Sequence, residues 1–199
     1  MNDTSTSTAT YSTAATGPST AAGPFDPNAP CAGTAHDFDF LPGVWDIANR
    51  RLRARGIGCE EWEEFPALST VESRLGGAAN IDETVFPTKG FTGLTLRSFD
   101  HTTRRWSITW INSTSGVLDP PVYGGFDGAR GQFFGVDVDR TPSGDVPVQV
   151  VFVWTRVDAD HARWEQAFST DGAAWERNWV MDLTRRAGSP DGGAGTASA

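Results

Sequence analysis

The sequence predicts an all-β fold, an up-and-down antiparallel β-barrel of about ten strands. Strand patterns recur at short intervals and are separated by turn chemistry. No amphipathic pattern is long enough for the crossover helices that a parallel sheet needs. The 8 Trp and 12 Phe of the chain supply enough aromatic side chains for a closed core. Because closure of a meander pairs its two edge strands, a barrel is favoured over a two-sheet sandwich, the alternative architecture.

The folded domain is predicted to cover residues 35–186 of the 199 in the chain. Residues 1–34 are mostly Thr, Ser, Ala, Gly and Pro, and residues 187–199 have the same character. Segments of this composition cannot bury enough apolar surface to offset the conformational entropy lost on folding. Both are therefore predicted to be disordered tails that flank a single barrel domain.

A short apolar cluster opens the predicted domain. Phe38, Phe40 and Leu41 are followed by a Pro-Gly pair, and Trp45 then begins the first strand. The segment resembles the Gly-x-Trp entrance of calycin barrels, the group that includes lipocalins and fatty-acid-binding proteins. The resemblance implies a plug that closes one barrel end, with Trp45 packed over the floor. A 3₁₀ turn that leads into any antiparallel sheet is the alternative.

The first five strands are bounded by turns rich in glycine, proline and aspartate. These turns fall at residues 56–58, at the Gly-Gly pair 76–77, at Pro87 and at residues 100–103. Between them, side chains alternate between two faces, as they do along a strand. The predicted strands cover residues 45–55, 61–75, 79–86, 91–99 and 105–112.

The last five strands follow a loop at residues 113–121. Turns are predicted at Asp127-Gly128, at 141–145 and at 158–161, and the Asp-Gly pair at 171–172 is a strong hairpin signal. One of these strands is apolar on both faces, which is typical of a strand covered on both sides. The predicted strands cover residues 122–126, 132–138, 148–157, 162–169 and 175–184.

Seven motifs are spread along nearly the whole predicted domain. They are HDFDFL at 36–41, Gly76-Gly77 with Asn80 and Asp82-Glu83, GLTLR at 93–97, WSITW at 106–110, LDPPV at 118–122, RWEQAFS at 163–169 and WERNWVMD at 175–182. Together they resemble an uncharacterised bacterial family of calycins. The resemblance implies a lipocalin-like barrel and no established reaction or ligand.

The acidic composition argues against two classes of partner. With 16 Lys and Arg against 25 Asp and Glu, the formal net charge is −9. Nucleic acids and anionic membranes both attract clustered basic surfaces, so neither is expected as a partner. The arginine-rich run 50–55 is interpreted as a solvated rim. No stretch approaches the ~20 apolar residues of a membrane span, and the N-terminus does not resemble a secretory signal, which predicts a cytoplasmic location.

The cysteines and histidines predict neither a metal site nor a bound cofactor. Cys31 and Cys59 lack the spacing of metal ligands, and the three histidines are scattered. His101 and His161 lie at predicted turns, so no histidine is well placed on a barrel wall for Ser-His-Asp or Cys-His catalysis. His36 lies in the plug, where it is expected to pair with a neighbouring aspartate.

Polar residues embedded in strands are the remaining candidates for a site. A carboxylate among aromatic side chains can serve as a general acid or base, because desolvation favours its neutral form. The candidate catalytic residues are Asp82, Glu165 and Glu176. The candidate ligand-binding residues are Asn80, Arg97, Trp110, Asn112, Tyr123, Trp154, Phe168 and Asn178.

The alternation of side chains fixes which residues share a strand face, but not which face points inward. Glu165 and Gln166 point in opposite directions, so one of them is expected inside. Asp82 with Arg97, and Glu165 with Arg177, could equally be cross-strand ion pairs on the outer surface.

Two functions stay open from the sequence. About ten strands enclose an interior too wide for side chains alone to fill, so a ligand cavity is expected. The first function is binding of a small, mostly apolar or aromatic molecule in that cavity. The second is catalysis by a cofactor-free enzyme of secondary metabolism, such as a cyclase, isomerase or dehydratase, that uses an inward carboxylate for proton transfer. In both cases the partner is a small molecule, and a homodimer is compatible with the sequence.

Overall fold

The computed structural model describes residues 32–141 and 144–188, and the predicted tails lie almost wholly outside them. The described residues form ten strands and one 3₁₀ helix, Leu75–Gly77. The strands are β1 (Gly43–Leu52), β2 (Trp62–Arg74), β3 (Ala79–Phe86), β4 (Phe91–Asp100), β5 (Arg105–Asn112), β6 (Val122–Asp127), β7 (Arg130–Thr141), β8 (Gly144–Arg156), β9 (His161–Ser169) and β10 (Glu176–Arg185). Within this part of the chain, no helix has the length and hydrophobicity needed to cross a membrane.

The ten strands close into a barrel. Each strand pairs antiparallel with its neighbour in sequence, and β1 also pairs with β10. The closing register runs from Trp45 opposite Arg185 to Arg51 opposite Trp179. The predicted up-and-down barrel of ten strands is therefore confirmed. Closure leaves neither β1 nor β10 as a free edge, which removes a site of edge-to-edge aggregation.

The predicted strand boundaries differ most at two places. The hairpin of β7 and β8 continues until Thr141 pairs with Gly144, although aspartate, glycine and proline in this region are typical of a loop. The first four residues of β8, 144–147, are exposed, so a glycine, an aspartate and a proline are tolerated in the paired strand there. By contrast, β1 ends at Leu52 rather than at residue 55, because the chain bends into a loop in which Gly56 and Gly58 have positive φ values of 72° and 69°.

The segment before β1 closes one end of the barrel. Phe38 and Leu41 are each only 1% exposed. The ring of Phe38 contacts Trp106 edge-on at a centroid distance of 5.0 Å and stacks on Phe133 at 5.7 Å. Gly33 already belongs to this end, since its backbone N–H donates to the Arg104 carbonyl at 2.8 Å. The contacts of the domain therefore begin two residues before the predicted boundary.

Trp45 is fully buried beside this plug. Its indole N–H donates to the carbonyl of Leu41 at 2.7 Å, which fixes the turn that leads into β1. The predicted pairing of His36 is also found, since its Nδ1 lies 2.9 Å from Asp39 Oδ2. That pair is exposed, and the neighbouring Asp37 instead accepts hydrogen bonds from the backbone N–H and hydroxyl of Thr34.

The barrel has a sealed end and an open end. The loops after β2, β4, β6 and β8 lie at the plug end, whereas the loops after β1, β3, β5 and β9 surround the opposite end. One patch outside the barrel is also apolar: Val151, Val153 and Ala167 are buried under Phe134 and Trp175. This patch explains why β8 is apolar on both of its faces.

Candidate functional site

The open end of the barrel leads into a cavity of about 570 Å³. Its base reaches Leu41 of the plug, and side chains from β1 to β10 line it. A large share of the wall is aromatic and is contributed by Phe86, Trp110, Phe152, Trp154, Trp164, Phe168 and Trp179. A cavity with this volume and lining is of the size and character that hold small organic molecules in proteins.

A polar cluster lies at the inner end of this cavity. Arg97 Nη1 donates to Asp82 Oδ2 at 2.5 Å and to Asn80 Oδ1 at 3.0 Å. Thr84 Oγ1 donates a hydrogen bond that both Ser69 Oγ, at 2.9 Å, and Asp82 Oδ1, at 3.2 Å, are placed to accept. All five residues are buried, so these contacts replace the water that the polar groups lose on folding. We refer to Ser69, Asn80, Asp82, Thr84 and Arg97 as the floor cluster.

The register of β2, β3 and β4 builds the floor cluster. Asn80, Asp82 and Thr84 are two residues apart on β3, so they share one face. Arg97 of β4 pairs directly with Asn80, and Ser69 of β2 pairs with Thr84. The cluster also rests on the plug, because the guanidinium carbon of Arg97 lies 5.5 Å from the ring centroid of Phe38.

A second group of polar contacts lies on β1, β9 and β10. Gln166 Nε2 donates to Asn178 Oδ1 at 2.8 Å, and Trp179 Nε1 donates to Asn49 Oδ1 at 3.0 Å. A β-bulge between Arg177 and Trp179 interrupts the alternation of β10. The bulge allows Asn178 to reach Gln166 while the next residue, Trp179, also lines the cavity.

Trp110 is placed on the wall by a glycine of the neighbouring strand β4, over which its indole lies. A Cβ atom at Gly93 would lie 2.5 Å from Trp110 Nε1, so only glycine leaves room for the indole to lie across β4. The ring of Trp110 meets that of Trp179 edge-on, with a centroid distance of 6.4 Å. This contact joins two distant strands across the wall of the cavity.

Charged side chains surround the mouth. Glu63 Oε1 accepts a hydrogen bond from Arg51 Nη2 at 2.8 Å, and its Oε2 accepts one from Lys89 at 2.5 Å. The hydrogen bond from Lys89, aided by those from Arg51, lowers the pKa of Glu63 below its ordinary value, against the opposing effect of desolvation. The guanidinium of Arg51 lies 5.1 Å from the ring centroid of Trp179, so this network borders the aromatic wall.

The loop after β1 is held across the mouth by three contacts. Arg55 Nη2 lies 2.7 Å from Asp139 Oδ1 on β7. The backbone N–H of Gly56 donates to Glu176 Oε1 on β10 at 2.9 Å. Arg55 also stacks over Phe168, with 5.3 Å between the guanidinium carbon and the ring centroid. The arginine-rich run interpreted as a solvated rim therefore contributes both Arg51 and Arg55 to the cavity lining.

The structure brings most of the predicted site residues to the cavity. Trp110, Asn112, Trp154 and Phe168 line it together with two members of the floor cluster, Asp82 and Arg97. Asn80 contacts Arg97 behind the lining, as Asn178 contacts Gln166. Glu176 lies at the mouth, where it holds the loop after β1.

Two predicted site residues do not lie at the cavity. On β9, Trp164 and Gln166 line the cavity, so alternation directs Glu165 outward, where its Oε1 accepts a hydrogen bond from Arg177 at 2.6 Å. On β6, Val122 lines the cavity and Tyr123 is 48% exposed on the opposite face. The candidacy of Glu165 as a catalytic residue and of Tyr123 as a ligand contact is corrected accordingly.

The outer-surface alternative thus holds for one carboxylate–arginine pair and fails for the other. Glu165 and Arg177 form an outer pair, whereas Asp82 and Arg97 face inward. Sequence reasoning also missed Ser69 and Thr84. A signal for Ser69 was present, because it alternates with the apolar residues Phe65, Ala67 and Val71 on the face that proves to be inside.

The fold and the site define a class of structure: a closed ten-stranded β-barrel with an aromatic-lined cavity and a buried polar floor. Such a barrel is compatible with small-molecule binding. The described residues contain no cluster of three or more His, Cys, Asp or Glu side chains arranged to hold a metal ion. Comparison with models of known protein families and with curated proteins gives no match to this chain.

Proposed function

We propose that the protein binds a small, mostly apolar or aromatic molecule in the barrel cavity. The observation that carries this proposal is the cavity of about 570 Å³, lined by aromatic side chains and open at one end. Protein interiors are close-packed and contain few voids larger than a water molecule, so a space of this size is not a packing defect. We also propose that the chain belongs to the uncharacterised bacterial calycin family and that the protein is located in the cytoplasm.

The distribution of polar groups supports binding of an oriented ligand. The aromatic wall supplies apolar contact area, whereas the floor cluster supplies a few polar atoms at the inner end. Ligand sites typically combine these two elements, because apolar contact supplies affinity and a few fixed polar groups set orientation. The plug closes the barrel behind the floor cluster, so a ligand enters through the mouth.

A titration with Nile red, an uncharged fluorescent probe, tests this proposal. We expect saturable binding of one probe per chain, accompanied by quenching of tryptophan emission. The matched variants are Val150→Phe, which fills part of the cavity, and Val136→Phe, which adds the same ring where the side chain is 68% exposed. Only the first should weaken binding. Non-saturable binding, or equal effects of both variants on a folded protein, would contradict the proposal.

Catalysis by a cofactor-free enzyme is the second candidate, and one observation favours it. Among the three carboxylates predicted as catalytic, only Asp82 is both buried and part of the cavity lining. Arg97 and Thr84 hold its two oxygens in fixed positions. A carboxylate placed in this way could transfer a proton to or from a bound substrate in a cyclase, isomerase or dehydratase reaction.

The enzyme candidate is tested with a substrate suggested by neighbouring biosynthetic genes. Asp82→Asn should lower turnover by about 10²–10⁴, the usual effect of removing a general acid or base. Glu165→Gln is the control, because this carboxylate lies outside the barrel, and it should leave turnover unchanged. Full turnover by a folded Asp82→Asn protein would exclude Asp82 as the proton-transfer group.

A further inference from the structure

Among the described residues, three buried polar atoms of the cavity lining lack a hydrogen-bond partner: Arg97 Nε, Trp154 Nε1 and Asp139 Oδ1. Asp139 Oδ1 is an acceptor that already lies 2.7 Å from the charged Arg55 Nη2, whereas the other two atoms are donors. Each of the two donor residues is only 4% exposed. A guanidinium or indole N–H cannot act as an acceptor, so only an acceptor atom can satisfy it. Because a buried donor without an acceptor costs free energy, this part of the cavity favours a ligand that brings an acceptor.

The two donors belong to neighbouring groups at the inner end. The guanidinium carbon of Arg97 lies 5.3 Å from the ring centroid of Trp154. Both side chains also pack on the plug, with Phe38 at 5.5 Å from the guanidinium carbon and at 5.9 Å from the indole ring. The two side chains that carry the unpartnered donors are therefore adjacent to each other at the inner end of the cavity.

The charge of the floor cluster selects the kind of acceptor. Asp82 balances the charge of Arg97, and its two oxygens already accept hydrogen bonds from Arg97 and Thr84. A ligand carboxylate would place a second negative charge beside Asp82 in a buried site, which is unfavourable. A neutral carbonyl oxygen has two lone pairs and can accept from both N–H groups without adding charge.

The walls select the shape of the rest of the ligand. The rings of Trp164 and Trp179 meet edge-on at 5.7 Å, and Trp110 meets Trp179 in the same way. Aromatic faces and edges of this kind pack well against a flat π-system. We infer that the preferred ligand is a neutral aromatic or conjugated ketone whose carbonyl oxygen accepts hydrogen bonds from Arg97 Nε and Trp154 Nε1. This inference rests on the proposed binding function and names its ligand class.

Two matched probes test the inference. Fluorene and 9-fluorenone have the same fused-ring outline and differ only in a methylene or a carbonyl at one position. We expect the wild-type protein to bind 9-fluorenone about 5- to 30-fold more tightly than fluorene, the range that one or two hydrogen bonds provide. The carbonyl stretching frequency of bound 9-fluorenone should also fall relative to its value in an apolar solvent.

Two tryptophan variants separate the donor from the aromatic wall. Trp154→Phe keeps a ring but removes the N–H, so it should reduce the preference for 9-fluorenone by about 3- to 10-fold and partly reverse the infrared shift. Trp164→Phe makes the same chemical change elsewhere on the wall. It should alter the affinities for both probes alike and leave their ratio unchanged.

The outcomes distinguish the ligand class from the binding function. Equal affinities for the two probes, as when water satisfies both donors, would overturn the ketone inference and leave cavity binding in place. Tighter binding of fluorene-9-carboxylate than of 9-fluorenone would overturn the choice of a neutral acceptor. If the folded protein bound neither probe nor Nile red, the proposed function itself would fail.

Discussion

The guanidinium carbon of Arg185 lies 4.2 Å from the ring centroid of Trp45, and the same guanidinium ties the plug to the last strand. Its Nη1 donates to the carbonyl of Pro42 at 2.8 Å, and its Nη2 donates to that of Phe40 at 2.5 Å. Trp45 in turn donates to the carbonyl of Leu41. Three carbonyls of the plug are thus satisfied by two side chains from the paired strands β1 and β10, so the sealed end and the closure of the barrel depend on each other.

Truncation of Trp45 should destabilise the barrel strongly. Trp45→Ala removes a fully buried indole and its hydrogen bond, and the expected loss of unfolding free energy is about 3–5 kcal/mol. Urea denaturation followed by circular dichroism measures it. Trp62→Ala is the control, because Trp62 is 38% exposed, and its effect should be much smaller. A loss below about 1 kcal/mol for Trp45→Ala would show that the plug contributes little to stability.

Replacement of Arg185 should also be costly, although its side chain is not part of the apolar core. Arg185→Met leaves two carbonyls of the plug without their charged donor, and we expect a loss of about 2–4 kcal/mol. Arg163→Met is the matched control, since Arg163 pairs with Asp182 on the surface and both side chains are 42% exposed. That change should cost about 0–1 kcal/mol. Equal losses from the two variants would argue against a special role for Arg185.

The fold was predictable because its signals are local. Turns with glycine, proline or aspartate separate the strands, and each strand pairs with its neighbour in sequence. The proximity of Asn80 and Asp82 was predictable for the same reason, because residues two positions apart on a strand point to the same face. Arg97 lies on the next strand of the same hairpin, close enough in sequence to be linked to them.

The face of a strand that points into the barrel was harder to predict, because the alternation of side chains is the same whichever face is inside. On β9, the sequence did indicate the inner face. Ala162, Trp164 and Phe168 share a face with Gln166, and this mostly apolar face is the buried one. Weighing the whole face rather than single residues would have placed Glu165 outside. The contact of Arg55 with Asp139 had no such local signal, since it joins two residues that are distant in sequence. No residue pattern marked the bulge at Asn178, although β9 and β10 are neighbours in the chain.

The network of Glu63 should make stability depend on pH. Because its hydrogen bonds with Lys89 and Arg51 lower the pKa of Glu63 in the folded protein, the folded state holds this proton less tightly than the unfolded state does. The resulting stabilisation is present above the ordinary value of 4.5 and is lost as the pH falls through the lower folded-state pKa. Glu63→Gln should therefore be less stable than wild type near pH 7, with a difference that shrinks below pH 4.5.

Denaturation curves for both proteins between pH 3 and pH 7 would measure this difference, with the pH range set about the ordinary carboxyl value. Glu64→Gln is the control, since the adjacent Glu64 is exposed on the other face of β2. Its effect on the free energy of unfolding should be small at every pH. A Glu63→Gln difference that stayed constant across the range would mean that the ionised carboxylate is not what stabilises the mouth.

The ion pair of Asp82 and Arg97 should show strong energetic coupling, because both side chains are only 5% exposed. Removing one partner leaves a buried charge without compensation, so Asp82→Asn and Arg97→Met should each cost about 3–5 kcal/mol. The double variant has neither charge and should be less destabilised than the sum of the two single changes by about 1–3 kcal/mol. Urea denaturation of the four proteins closes the cycle.

The surface pair of Arg163 and Asp182 provides a matched cycle, with Arg163→Met and Asp182→Asn, because both side chains are 42% exposed. Its coupling should be about 0–1 kcal/mol. If the two cycles gave the same coupling, Asp82 and Arg97 would be a solvent-screened pair, and the buried floor on which the ligand orientation depends would be wrong.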